Sequence, residues 1–219
     1  MDEMGGGGLL DAETAGRILG RADRPVIKTH AWPGYKDTFL DSQPEGLASE
    51  WVEWLNRQGT VFYIYRDGRD VMCSYQLFRQ KFDPDADGTV GAFIRQDEEG
   101  TNRVRRWAEH VRAWRADPDV YAVQFEQLLD SPEAVIQEIA DEIGLAPTWD
   151  EPLLPRPFRS IWESRWARLA GIRPESTAII NGDRKDWQEC FSVEDRVFFH
   201  ERAGDLLIDL GYETSTDWL

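Results

Sequence analysis

Val61-Phe62-Tyr63-Ile64-Tyr65-Arg66-Asp67-Gly68-Arg69-Asp70-Val71-Met72-Cys73-Ser74-Tyr75 is the stretch on which the fold reading turns. Its first five residues are all apolar or aromatic, which predicts a strand covered on both faces at 61–65. A polar turn containing Gly68 follows directly, and Val71 to Gln80 then carries helical spacing. Strand, polar turn and helix in that order form the βα unit of an α/β fold.

The flanking sequence repeats this alternation. Pro25-Val26-Ile27-Lys28-Thr29-His30 predicts a short strand at 25–29 with a polar end, broken by Trp32-Pro33-Gly34. Leu47, Trp51, Trp54 and Leu55 recur at helical spacing, so Leu47 to Arg57 is expected to be a helix. Residues 83–89 form a loop. Val104 to Arg115 predicts an amphipathic helix with Trp107, Val111 and Trp114 on one face, and Val120 to Phe125 a third strand. Ser131-Pro132-Glu133 opens a further helix, with Ser131 as its cap, and Gly144 closes it. Four prolines make 146–160 an irregular connection. Ser192 caps, and Gly211 stops, a last helix over Val193 to Leu210. These elements imply an α/β fold, a parallel sheet flanked by helices on both faces. Residues 1–24, with four consecutive glycines and a short helix over Ala12 to Gly20, read as a flexible leader, and 25–219 as a single domain.

Composition narrows the function classes. The chain has 219 residues and a formal charge of −16, from 25 basic and 41 acidic side chains. Such a charge argues against a general nucleic-acid binder, yet leaves room for a local basic pocket that holds one small anion. There is no apolar run of membrane-spanning length and no secretory signal pattern. Two cysteines, Cys73 and Cys190, make no disulfide framework and suit a reducing, cytoplasmic setting. No spacing of Cys or His suggests a metal site.

Ligands of parallel α/β sheets sit beyond the carboxyl ends of the strands. Two such ends carry reactive groups here, Lys28 with His30, and Arg66 through Ser74. Arg66 and Ser74 lie eight residues apart across a strand-to-helix turn. A guanidinium and a hydroxyl near a helix start can hold phosphate. The plain alternative is an arginine paired with Asp67 or Asp70. Residues 156–173 hold five arginines and one glutamate, after a stretch, 116–155, with ten acidic and no basic side chains. That segment is either a solvated helix facing acidic neighbours or a flap over an anionic ligand. His110 and His200 read as surface or core-edge histidines, and Cys73 as a packed thiol.

Taken together, five segments in order resemble the sulfotransferases that use 3′-phosphoadenosine 5′-phosphosulfate (PAPS). VFYIYRDGRDVMCSY is similar to the family's 3′-phosphate segment, and VIKTHAWP to its strand ending in Lys-Thr-His. WAEHVRAWR, VQFEQLLDSPEAVIQEIADEIGL and DWQECFSVEDRVFFHERAGDLLIDLGY resemble its later helices and closing segment. The resemblance implies a P-loop-NTPase-like α/β fold. It implies His30 as general base, Lys28 as the residue that steadies the oxygen bridging sulfur and phosphorus, and Arg66 and Ser74 as ligands of the 3′-phosphate. It also implies that Arg184 and Lys185 add to that phosphate grip, although here they abut Asp186-Trp187, closer than the family places them. Phe125 stands where the family often has a tyrosine beside the nucleotide. Trp32, Trp162 and Trp166 are candidates to line the acceptor or ligand pocket.

One family element has no counterpart in this sequence. The opening strand and its Ser-Gly-Thr phosphate loop, which cradle the 5′-phosphosulfate, find no match ahead of His30. The expectation is an N-terminally shortened sulfotransferase domain lacking its first strand and loop, with an uncovered sheet edge that drives self-association. Two functions follow. One is sulfuryl transfer from PAPS, without a metal, to a hydroxyl or amine of a small-molecule or carbohydrate acceptor. The other is a non-catalytic module that binds a 3′-phosphonucleotide or a partner. A P-loop kinase is disfavoured because no Gly-x-x-x-x-Gly-Lys-Ser/Thr is present.

Overall fold

The computed structural model describes residues 20, 26, 30–34, 50, 53–54, 57–82, 88–98, 100–146 and 186–219. Its elements are β1 (Val61–Tyr65), α1 (Gly68–Phe82), α2 (Val90–Arg95), β2 (Asp97–Glu98), β3 (Thr101–Asn102), α3 (Arg103–Ala116), β4 (Val120–Gln124), α4 (Phe125–Asp130), α5 (Pro132–Glu142), α6 (Trp187–Cys190) and α7 (Val193–Asp209). The architecture is mixed α/β, a parallel sheet flanked by helices, and β1 lies beside β4 in it. Most of the expected strand at 25–29 lies outside the described residues; Val26 is in neither helix nor strand and is exposed. The expected helix at 12–20 and the connection beyond Ala146 also lie outside them. Glu50, Glu53, Trp54 and Arg57 are helical, as their spacing predicts.

The chain divides into two compact units, Met1–Ile64 with His110–Val123, and Tyr65–Glu109 with Gln124–Leu219. In the first, aromatic rings from β1, β4 and the end of α3 pack together. Phe62 meets Tyr121 edge-on at 5.6 Å, and Tyr63 stacks on Trp114 at 5.6 Å with the planes 17° apart. β1 is half-buried rather than covered on both faces, and Ile64 is exposed. The described residues pair it with one strand, and a strand pair covers less of itself than a wide sheet does.

The second unit is built around α1, which starts at Gly68, three residues earlier than the hydrophobic pattern alone suggests. The reason is a cap. The Asp67 carboxylate accepts the Arg69 N–H at 2.9 Å, and the Asp67 carbonyl accepts the Val71 N–H at 2.9 Å. Met72 and Cys73 turn inward, and α1 packs on α2 and α6. On the part of α3 in this unit, Val104 and Ala108 are fully buried. Trp107 flanks them and lies against Gly68. α2 is short and capped by Thr89, whose side chain accepts the Ala92 N–H. After it, β2 and β3 form a small antiparallel hairpin around Gly100, which has a φ of +86°.

α7 carries the rest of this core through Phe199, Ala203, Leu206 and Leu207. Its start is a capping box in which Ser192 accepts the Asp195 N–H and Asp195 accepts the Ser192 N–H. Burial alone would raise the Asp195 pKa, but hydrogen bonds from Arg95 and Ser192 outweigh it and hold the carboxyl below its ordinary value. Gly144 and Gly211, both at positive φ, end α5 and α7 as their placement predicts. Ser131 is different. It precedes Pro132 at the start of α5, but its hydroxyl makes no capping hydrogen bond. Its backbone, at φ −143° and ψ 60°, leaves the extended conformation in which a capping hydroxyl reaches the first turn.

Gly68 is the tightest point of the helix start. A Cβ there would lie 2.6 Å from the ring of Trp107. Gly68→Ala should therefore destabilise the protein by about 1–3 kcal/mol through overpacking. Urea unfolding measures this; a wild-type midpoint for the variant would mean that Trp107 does not close on this turn.

Candidate functional site

Arg66 leaves the end of β1 and folds back along α1. Its Nη1 donates to Ser74 Oγ at 3.1 Å, and its Nη2 donates to Asp70 Oδ2 at 2.7 Å. The two residues that the sequence places eight apart are thus in direct contact. The alternative pairing with Asp70 is present as well, so one guanidinium serves both. Arg66 also lies over the ring of Phe125, 5.3 Å from its centroid. Its Nε is buried and has no hydrogen-bond partner among the described residues. A buried guanidinium donor without an acceptor is costly in a closed protein; the Nε atoms of Arg196 and Arg202 are left in the same state.

A second arginine of the same turn does different work. Arg69 is 2% exposed. It donates to Asp67 Oδ2 at 2.7 Å and to Glu213 Oε1 at 2.5 Å. Its guanidinium is flanked by the rings of Trp187 and Trp218, at 4.0 and 4.7 Å from their centroids. Burial pulls its pKa down, but the hydrogen bonds and charges of Asp67 and Glu213 win, and the net shift is upward. Arg69 is therefore a permanently charged, internally satisfied strut. Arg66, by contrast, keeps one buried donor without a partner among the described residues.

The surroundings of the turn are tied down in the same way. The Asp67 N–H donates to Glu126 Oε1 at 3.2 Å, and the Tyr212 hydroxyl donates to Glu126 Oε2 at 2.8 Å. Burial, reinforced by Glu126, pushes the Tyr212 phenol well up, so it remains a donor. The Trp187 N–H donates to Asp70 Oδ1 at 3.3 Å, which joins the start of α6 to the first turn of α1. Cys73 is fully buried one residue before Ser74. Burial, followed by its hydrogen bond with Cys190, pushes its thiol well above the ordinary range, as suits a packed cysteine.

His30 is exposed and is followed by the half-buried Ala31, Trp32 and Pro33. Lys28, Arg184, Lys185, Trp162 and Trp166 lie outside the described residues. No group of three or more His, Cys, Asp or Glu that could hold a metal occurs among the described residues. Sequence reasoning missed Arg69 and Glu126 as organisers of the site. The one available signal was the charge alternation Arg66-Asp67-Gly68-Arg69-Asp70, which shows that pairing occurs but not which arginine is buried.

The Arg66–Asp70 pair is mostly buried, with side chains 18% and 15% exposed. Asp70→Ala should cost about 1.5–3 kcal/mol, because the hydrogen bond to the charged Arg66 is lost. Ser74→Ala should cost about 0.5–1.5 kcal/mol, the range of an ordinary hydrogen bond. Chemical denaturation measures both, and equal, negligible losses would contradict the arrangement.

Comparison with known proteins gives a concordant result. A family profile described as "Sulfotransferase domain" matches residues 53–211. No curated protein matches the chain. Among solved structures, nine chains match. One of them is mouse sulfotransferase SULT7A1 complexed with PAP, at 16% sequence identity and a TM-score of 0.58, with 94% of this chain and 74% of that chain covered. That likeness bears on the fold, the P-loop-like α/β arrangement of the cytosolic sulfotransferases.

Proposed function

The chain belongs to the sulfotransferase domain family, and from that premise we propose that it transfers a sulfuryl group from PAPS to a hydroxyl or amine of a small-molecule or carbohydrate acceptor. The observation that carries the proposal is the contact of Arg66 with Ser74 across the strand-to-helix turn, made by a guanidinium whose buried Nε has no partner among the described residues. The related fold of SULT7A1 holds PAP, the bisphosphate that PAPS becomes once its sulfuryl group has left.

Charge counting defines what else the site needs. Arg66 and Asp70 form a formally neutral pair. A 3′-phosphate brings a charge of about −1.5 to −2, so a further cation is required. Arg184 and Lys185 are the proposed source. Support comes from Trp187, two residues further on, whose N–H bonds to Asp70 at the same turn. Phe125, against which Arg66 lies, offers an apolar face beside the nucleotide.

The chemistry assigned to the remaining residues follows from their types. PAPS supplies the sulfuryl group and a phosphate leaving group. Lys28 steadies the negative charge that grows on the bridging oxygen. His30 accepts the proton of the acceptor hydroxyl or amine, a task that suits an imidazole because its ordinary pKa lies close to neutral pH. Its exposure leaves it open to an acceptor. No metal is assigned a role, and the reaction is placed in the cytoplasm.

Calorimetry with adenosine 3′,5′-bisphosphate and with adenosine 5′-monophosphate tests the site. The bisphosphate should bind more tightly, since it alone presents a 3′-phosphate. Arg66→Ala should weaken it by about ten- to a hundredfold, the loss of one charge-assisted hydrogen bond. His30→Ala should leave nucleotide affinity unchanged and abolish transfer in an acceptor screen with PAPS. Equal affinity for both nucleotides would contradict the phosphate site. Arg66-dependent binding with no transfer by the wild type would favour the non-catalytic module.

A further inference from the structure

The residue after the candidate base is gripped from an unexpected direction. Trp114 Nε1 donates to the carbonyl oxygen of Ala31 at 3.2 Å. His110 Nε2 lies 3.3 Å from the same oxygen. Two side chains one helical turn apart on α3 thus converge on one backbone atom, 79 and 83 residues away in sequence. His110 also meets the ring of Trp32 edge-on, with centroids 4.9 Å apart. Contacts from one helix therefore reach both residues that follow His30.

The Tyr63 hydroxyl lies 3.0 Å from His110 Nδ1 and ties the imidazole to β1. Trp114 Nε1 also donates to His110 Nε2 at 3.2 Å, so the indole N–H is shared between Ala31 O and the imidazole, and His110 orients the indole that holds the carbonyl. Trp114 is held in turn by its stack on Tyr63.

We propose that His110 and Trp114 are positioning residues that fix the backbone immediately after His30, by holding the carbonyl oxygen of Ala31 from one face of α3. The catalytic consequence rests on the reading of His30 as general base. An exposed imidazole on an irregular segment has many orientations available to it, and a misplacement of about 1 Å can cost roughly a hundredfold in rate. Anchoring the next residue removes much of that freedom without burying the ring.

The test uses the full chain and hydrogen exchange resolved to the amides of Ala31, Trp32 and Gly34. Trp114→Phe keeps the stack on Tyr63 and deletes the indole donor. His110→Leu deletes the imidazole, and His110→Gln restores a hydrogen-bonding side chain of similar reach. Val135→Ala, a buried position on α5, controls for general loss of stability. Trp114→Phe and His110→Leu should speed exchange at 31–34 by about three- to tenfold, as expected for loss of one neutral hydrogen bond. Val135→Ala should not, and His110→Gln should recover part of the protection. Transfer should lose kcat in the same two variants, with affinity for adenosine 3′,5′-bisphosphate unchanged.

Wild-type exchange at 31–34 in both variants overturns the anchoring, whether or not the protein has activity. Faster exchange with undiminished kcat overturns the positioning role. If the wild type transfers nothing to any acceptor, the enzymatic reading fails and the positioning role fails with it. The exchange data then still decide whether α3 holds the segment.

Discussion

A guanidinium buried to 2% exposure organises the turn on which the site depends. Arg69 is removed from water, and burying a cation costs several kcal/mol unless its charge and donors are met inside the protein. Asp67 and Glu213 meet the charge, and the rings of Trp187 and Trp218, which meet each other edge-on, pack against the guanidinium. These partners come from the turn itself, from α6 and from the segment that follows α7. Closing the arrangement therefore requires residues 67, 187, 213 and 218 to arrive together. Once it is closed, Asp67 is committed to Arg69 and to the cap of α1, and it is unavailable to Arg66.

That commitment leaves a division of labour between two arginines three residues apart. Arg69 spends its charge inside the protein. Arg66 keeps a neutral pair with Asp70, a hydroxyl partner in Ser74 and one donor with no partner among the described residues. The proposed function uses this arrangement, a cation pre-oriented by Asp70 and Ser74. The carboxylate of Asp70 also prevents an uncompensated charge when no ligand is bound. In the proposed function, that neutral pairing is why a bound phosphate would call for a second cation.

Much of the fold was legible because it is written in local patterns. The apolar run at 61–65, the helical spacing after Val71, the buried stripe of α3 and the Ser192–Gly211 brackets of α7 all depend on neighbouring residues. That Arg66 and Ser74 come together was legible for the same reason, as a strand-end arginine and a helix hydroxyl at fixed spacing. What was not legible depends on distant partners. Nothing local distinguishes Arg66 from Arg69; residues more than a hundred positions away decide which one is buried. Phe125 favours strand by type, yet it starts α4, where it lies under Arg66 and brings Glu126 to the Asp67 N–H. α2, six residues long, is too short to give a periodic signal. His110, read as a core-edge histidine, proved to have hydrogen-bond and ring contacts that only the pairing of α3 with residues 31, 32 and 63 reveals.

The central claim is that the turn from Arg66 to Ser74 is built to receive a nucleotide 3′-phosphate. Peptide-resolved hydrogen exchange on the wild-type protein addresses it most directly, with adenosine 3′,5′-bisphosphate or adenosine 5′-monophosphate at equal concentration. The account predicts slowed exchange across residues 66–74 with the bisphosphate and little change there with the monophosphate. Equal protection by both nucleotides, or bisphosphate-dependent protection that spares residues 66–74, would contradict it.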